Sequence, residues 1–527
     1  MGICIHIGEM LARNARMYPD EVALIERAPA EGGRRREITW KVFDEKANRF
    51  ANALMKRGIQ KGDKVIHLMM NSIDWLVAYF GIIRTGAWVV PLNFRFTSDD
   101  IKYCVDVAEP KAMVFGPEFI ERIEAIKDEC PTIKYWIFVG EGDRPSWAES
   151  FDKVLEEVSD RAPEVEITYE DPCGLYFTSG TTGRPKPILL THRNMVSACI
   201  TENAHHRQTR QDNFILIPPL YHTGAKMHWF GSLIVGGRAV ILKGVQPEWI
   251  LEAVSEEKGT IVWLLVPWAQ DILLKFDSGE LKPDQYDLGQ WRLMHIGAQP
   301  VPPSLVKHWK EYFPEMAYDT NYGLSEATGP GCVHLGMENE HKIGAIGLPG
   351  FNWEARIVDS DGNPVSQGEV GELVVRGDGV MKEYYKNPEA TAQTIRDGWL
   401  YTGDMARQDE DGFIWLVDRK KDIIISGGEN IFPVEIEDFL HTHPKVKDVA
   451  AIGYPDERLG EIVAVVVEVK PGEVMTEEEV IEFCQQLPRY KRPRKVFFGE
   501  VPRNPTGKIE KPKLRKKYIG TEAAFKT

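Results

Sequence analysis

LYFTSGTTGRPKP, residues 175–187, runs from an apolar, β-like stretch into a loop of small hydroxyl residues, two glycines and a lysine. Gly180 and Gly183 let backbone N–H groups turn toward an anion. Thr178, Ser179, Thr181 and Thr182 add hydroxyl donors, and Lys186 adds a positive charge. These are the parts needed to hold a polyphosphate. The spacing is not that of a Walker A loop, because Gly183 is followed by Arg-Pro-Lys rather than by Lys and a hydroxyl residue.

From about residue 38 to 160, helical patterns (40–57, 72–84) alternate with β-rich runs such as KVIHLMM, AWVVPL and KAMVFG, the signature of parallel α/β units. The alternation resumes with NFILIPPL, RAVILKG and GTIVWLLVP. From Phe351 to Val417 it gives way to short strands with the turn signals DSDGNP and DEDG, read as antiparallel sheet or a small barrel. After Asp418 the charged run DRKKD interrupts the strands, and IIISGGENIFPVEIEDFLHTH opens a fresh unit. The expected fold class is therefore α/β. A large N-terminal domain of several subdomains, parallel sheets plus a small antiparallel barrel, spans 1–418. A hinge covers 419–421, and a small mobile α+β domain covers 422–527.

At 527 residues the chain is too long for one core. Its 43% apolar and 27% charged residues are those of a globular protein. A formal charge of −15 argues against nucleic acid as a partner. No apolar run approaches the roughly 18 residues of a bilayer span. The N-terminal stretch reads as an amphipathic helix of the fold, with Glu9 early in it, so a cytoplasmic location is expected. The seven cysteines are scattered without a CxxC pair, and no histidine cluster has zinc spacing. His205 and His206 are adjacent and so point in different directions. Residues 489–517 carry twelve Lys or Arg against Glu500 and Glu510, either a solvated basic tail or a site for a polyanionic small molecule.

With the loop at 175–187, four further motifs resemble the adenylate-forming superfamily of acyl-CoA synthetases, adenylation domains and firefly-type luciferases. They are NYGLSE (321–326), YTGD (401–404), DRKKDIIISGGENIFPVEIE (418–437) and PRNPTGK (502–508), in the family's order. The resemblance implies ATP, Mg²⁺ and coenzyme A as ligands and a carboxylic acid as substrate. It places Thr178 to Gly183 and Lys186 on the phosphates. Gly297, Ala298, Gln299, Asp319, Asn321, Tyr322 and Gly323 fall around adenine, with Tyr322 stacking on the ring. Ser325 supports a phosphate or the acyl carboxylate, and Glu326 holds the metal. Asp404, helped by Arg419, accepts from the ribose diol. Lys508 bridges the carboxylate and the α-phosphate, where two anions must meet. For thioester formation the C-terminal domain rotates about Lys421. Gly427 and Gly428 then line the pantetheine tunnel, while Tyr490 and Arg492 either contact the CoA nucleotide or form a surface turn. Pro187 departs from the family's usual glycine and leaves the loop's exit stiffer, with one donor fewer.

For the acid, the resemblance places His222 of PPLYHTGA where the family has an aromatic or His gate beside the acyl carbonyl, with Thr223, Gly224 and Ala225 following on what should be the pocket helix. Small residues there leave room for something wider than acetate, with Met294 as a wall. The expected substrate is an apolar aromatic, alicyclic or medium-chain monocarboxylate. Loading of a separate carrier protein and luciferase-like oxygenation remain the alternatives, and monomer and homodimer both stay open.

Overall fold

A computed structural model describes residues 5–156, 158–178, 184–298, 301–419, 421–427, 429–504 and 508–521, with backbone alone at residue 430. Ser179, Gly180, Thr181, Thr182, Gly183, Gln299 and Gly428 lie outside the described residues.

The β-rich runs of the first 160 residues become parallel strands. Lys64–Leu68, Trp88–Pro91, Ala112–Phe115, Tyr135–Phe138 and Glu149–Ser150 align in parallel, and Trp88–Pro91 also pairs with Pro172–Thr178. Pro172–Thr178 pairs antiparallel with Lys186–Thr191, with Thr178 opposite Lys186, so the two strands that flank the glycine-rich segment lie side by side. Pro187 sits opposite Phe177 in that hairpin, and its carbonyl accepts from Tyr385 N at 2.9 Å. The N–H and C=O of one strand residue point the same way, so the missing donor faces only the two-residue edge strand Glu383–Tyr384.

A second sheet carries the acid-pocket motifs. Its order is Ala317–Asp319, Leu293–Gly297, Ile261–Leu265, Asn213–Leu216, Arg238–Leu242, Val22–Ala28 and Arg34–Thr39, parallel except for the last pair. Helices His192–His206 and Thr223–Leu233 pack between the two sheets, and Thr191 caps the first of them in a reciprocal box with Asn194. Phe43, Phe80, Trp229 and Phe230 fill that shared core.

The stretch read as antiparallel sheet or barrel is an antiparallel sheet of Trp353–Val358, Gly371–Gly377, Trp399–Gln408, Ile395–Arg396 and Ile414–Arg419. A separate core lies beyond it. Strands Ile424–Ser426, Glu429–Ile431, Val446–Asp456, Gly460–Val469 and Lys495–Phe498 form one sheet, covered by helices Pro433–His441 and Lys511–Ile519. Short-range charges tie this C-terminal unit to the chain leaving the antiparallel sheet. Arg515 bonds Asp422 at 2.6 Å, and Asp418 accepts from Val434 N at 3.1 Å. Among the described residues six cysteines are buried and unpaired, and no helix is long and apolar enough to cross a membrane.

Candidate active site

Three separate elements meet at Asp404. Strand Trp399–Gln408 presents its carboxylate, strand Asn321–Leu324 presents Tyr322, and the end of Ile414–Arg419 presents Arg419. Tyr322 donates to Asp404 Oδ2 at 2.5 Å, and Arg419 Nε lies 3.0 Å from Oδ1. Burial and the Asp404 charge push the Tyr322 phenol well above its usual pKa, so it stays a donor. Both oxygens expected to face a ribose diol are thus already oriented by protein donors.

Lys508 enters from the C-terminal unit. Its N–H donates to Asn504 Oδ1 and its carbonyl accepts from Asn504 N, each at 2.9 Å. Arg503 and Ile509 pair beside it in an isolated antiparallel bridge, which fixes the backbone of Lys508. Its ammonium feels Arg419, Asp404 and Glu326. Burial first, then the Arg419 charge, pull its pKa down to about 8 against the pull of the two acids. His222, at the start of helix Thr223–Leu233, is lowered to about 3 by burial, Lys508 and Lys226, and so is a neutral imidazole at pH 7.

Glu326 lies in the short turn Ser325–Ala327, and Tyr384 donates to its Oε1 at 2.8 Å. Lys186 stands 5.2 Å over the Tyr384 ring and pairs in register with Thr178, so the glycine-rich hairpin leads directly to this acid. Ser325 Oγ lies 3.5 Å from the Thr223 hydroxyl. Ala298 has a left-handed φ of 68° at the end of strand Leu293–Gly297. Such a conformation costs an alanine about 1–3 kcal/mol, and strain of this kind gathers at binding sites. Lys508 thus reaches Arg419, Asp404, Glu326 and His222, with Tyr322 on Asp404, Lys186 beside Glu326 through the Tyr384 ring, and Ser325 beside Thr223.

Other expectations are corrected. Asp319 is fully buried, with Gly336 N donating to Oδ1 at 2.8 Å and His334 and His206 against Oδ2, so it faces no ligand at the nucleotide surface. The Asn321 amide turns the same way, to Glu202 at 3.0 Å and His228 at 3.1 Å, rather than toward adenine. Met294 packs with Ile272, Leu305 and Val306 on the far face of its sheet. Strand alternation sends its neighbour His295 to the opposite face, with Leu293 in the core between the sheets. Ala225 belongs to the core between the sheets. The missing side chain of Gly224 does not open a pocket. A Cβ there would lie 3.1 Å from Pro330 and 3.4 Å from Trp263, while a Cβ on Gly329 would strike the Gly224 backbone at 2.7 Å. The two glycines let a helix and a strand touch. Gly323 serves the same crossing, because its Cβ would lie 2.0 Å from Gly329 O.

In the C-terminal unit Gly427 has a φ of 60° and donates to Leu459 O at 2.8 Å. Tyr490 is 47% exposed, and Arg492 spends its donors on Leu487 and Gln485, which closes its own turn. Lys421 is half-buried, and burial lowers its pKa to about 8. A cavity of about 1000 Å³ lies between the two bodies, bounded by Trp268 and Asp271 on one side and Lys447, Asp448 and Arg503 on the other.

Behind the acid side lies a group missed in the sequence. Glu202, His206, His228, His295, Asp319 and His334 are all fully buried and within contact of one another. Burial alone would raise both carboxylates, but the surrounding imidazoles outweigh it and hold both below the usual range. The usable signals were the i,i+4 spacing of Glu202 and His206 on one helix and the placement of His295 on the inward parity of its strand. His334 and Asp319 are joined to them only by the fold. Lys226, buried over the Tyr176 ring at 4.3 Å and donating to His222 O, was missed as well.

With this geometry in hand, the chain belongs to the AMP-binding enzyme family. The family's main model matches residues 11–385, and that for the AMP-binding enzyme C-terminal domain matches 435–508. Among relatives, a feruloyl-CoA synthase of Amycolatopsis sp is 33% identical over 97% of this chain and 99% of its own. A long-chain-fatty-acid–CoA ligase of Mycobacterium tuberculosis is 32% identical over 98% and 99%. The crystal structure of an anthranilate CoA ligase in complex with anthranoyl-AMP superposes with a TM-score of 0.89 at 26% identity, covering 98% of each chain.

Proposed function

We propose that the chain is an AMP-forming carboxylate–CoA ligase whose acid is an apolar aromatic, alicyclic or medium-chain monocarboxylate. The observation that carries this is the placement of Lys508, brought from the C-terminal unit into electrostatic reach of Asp404, Glu326 and the neutral His222. That arrangement suits the first half-reaction. A carboxylate oxygen attacks the α-phosphorus of ATP, the bond to the β-phosphate oxygen breaks, and pyrophosphate leaves. Two anions must approach, so catalysis is chiefly positioning and charge stabilisation. Lys508 lies between them, Asp404 and Arg419 hold the nucleoside end, and the hairpin ending at Lys186 faces the phosphates. Glu326 would hold Mg²⁺, since one carboxylate beside a triphosphate suits an ion that takes most of its ligands from phosphate and water. When bound, the ion would neutralise phosphate charge.

In the second half-reaction the CoA sulfur attacks the acyl carbon and AMP departs. Lys508 and the thiol compete for the same space, so the C-terminal unit turns about residues 419–421, with Gly427 and Gly428 approaching the pantetheine. The acid lies between His222 and the Trp263 ring, which His228 stacks at 4.1 Å. The aromatic acids named for two of the relatives support a flat substrate on that face. The test is pyrophosphate exchange over a panel of acids, followed by thioester detection with CoA. Exchange strongest with aryl and alicyclic acids, with acyl-CoA as product, is expected. Exchange confined to acetate and propionate would overturn the acid class, and adenylate without thioester would overturn the ligase.

A further inference from the structure

The buried histidines have a proton arrangement that leaves little choice. His228 Nδ1 lies 2.6 Å from Gly224 O and must donate to it, so its Nε2 is an acceptor. That lone pair accepts from His295 Nε2 at 2.7 Å, with Asn321 Nδ2, which donates to Glu202 at 3.0 Å, beside it at 3.1 Å. His295 Nδ1 is then left as a lone pair. It points at His206 Nε2, 3.0 Å away, and stands 3.9 Å from Asp319 Oδ2. Asp319 Oδ2 is also 3.2 Å from His206 Nε2 and 3.3 Å from His334 Nδ1. The donor atoms of His206, Asp319 and His334 all lie within 4.8 Å of one another.

The opposite ring nitrogens meet a carboxylate. His206 Nδ1 is 3.5 Å from Glu202 Oε2, and His334 Nε2 is 3.5 Å from Glu202 Oε1. His206 Nδ1, His334 Nε2 and Glu202 Oε2 are buried without a hydrogen-bond partner. A histidine that gives one nitrogen to a metal carries its proton on the other and presents it to a carboxylate. Both histidines are placed to do this toward Glu202.

We propose that these residues form a structural zinc site, with His206 Nε2, His295 Nδ1, Asp319 Oδ2 and His334 Nδ1 as ligands and Glu202 orienting two of the imidazoles. Ligand atoms around a tetrahedral zinc stand roughly 3.3 Å apart, given Zn–N bonds of about 2.0–2.1 Å. The His206–His295, His206–Asp319 and Asp319–His334 separations, 3.0–3.3 Å, are near that spacing; His206, Asp319 and His334 form the compact set, and His295, 3.9 Å from Asp319, would draw in on binding. Nitrogen and oxygen donors in a closed set select zinc and disfavour magnesium or calcium, which want oxygen alone. With four protein ligands and no route for water, the ion would be structural. It would join the C-terminal end of helix His192–His206, strands Leu293–Gly297 and Ala317–Asp319, and strand Gly329–His334 behind the acid pocket. This proposal stands independently of the ligase reading, because it predicts metal in resting protein without ATP, acid or CoA.

The test is elemental analysis of full-length protein purified without an affinity metal and passed through a desalting column. About one zinc per chain is expected. Cobalt-grown protein should show the intense visible absorption of tetrahedral Co²⁺, which adventitious surface cobalt lacks. Glu202→Gln, which keeps every ligand, should weaken zinc about 10–100-fold in chelator competition. His334→Gln should lose the metal, while His308→Gln, at an exposed histidine elsewhere, should keep it. Metal-free wild-type protein that stays empty after zinc incubation, or zinc held equally by wild type and His334→Gln, overturns the site. Should His334→Gln fail to fold, the cobalt spectrum of wild type decides. A tetrahedral signature supports the site, and its absence refutes it.

Discussion

The nucleotide-facing surface and the histidine cluster use similar residue types in opposite ways. Around Asp404 the charges come from several elements, and Arg419, Lys508, Glu326 and Lys186 stay partly exposed. Around Asp319 the charges are sealed from water and can exist only if they compensate one another. A charge at a wet site can be exchanged for catalytic effect, whereas a charge in the sealed site cannot be removed without stranding its partner. The first region should therefore report mutations in rate, and the second in stability.

The largest effect should come from the sealed region. Glu202→Ala strips His206 and His334 of their shared carboxylate, and breaking a buried ionic group of this kind costs about 3–5 kcal/mol. Thermal or urea unfolding should show it, and an unchanged midpoint would mean that the cluster is wet and the contrast mistaken. In the open region, Lys508→Ala should cut pyrophosphate exchange by about 10²–10³ with stability intact. Thioester formation from a presynthesised acyl-adenylate should largely survive. Equal loss of both half-reactions would remove Lys508 from its assigned step.

Gly224 lies where the two regions touch. Gly224→Leu should destabilise the protein by about 1–3 kcal/mol through overpacking against Pro330 and Trp263, and should lower kcat/KM for all acids alike. A selective loss of ring acids at constant stability would show instead that Gly224 faces open space.

The mildest effect is a pH profile. Because Lys508 has a pKa of about 8 in the free protein, it is cationic below that pH and neutral above it. The kcat/KM for adenylation, which reports the free enzyme, should be flat near pH 7 and fall above pH 8. With ATP bound, the triphosphate raises the lysine's pKa, so kcat should hold to higher pH. Lys508→Arg, slower but always protonated, should lose the alkaline limb. Retention of that limb would place the titration on another group.

Much of the molecule was legible in one dimension. Alternating helical and β-rich runs determined the parallel sheets. Turn-rich short strands determined the antiparallel sheet after Phe351, and the motifs made candidates of Asp404, Arg419, Tyr322, Glu326 and Lys508, whose charges the fold brings together. These signals are local, because periodicity and turn chemistry act between near neighbours. Gly224 shows where local reading stops. A small residue in a helix leaves a gap only if nothing crosses there, and the approach of Gly329, more than a hundred residues later, is a property of topology. Met294 and His295 divide in the same way. The alternation of a strand was readable, but which parity faced the acid depended on which helices covered each face. The histidine cluster needed most of the fold. Its members come from two helices and three strands spread between Glu202 and His334, and only the packing of those elements converts scattered titratable residues into one sealed, mutually dependent group.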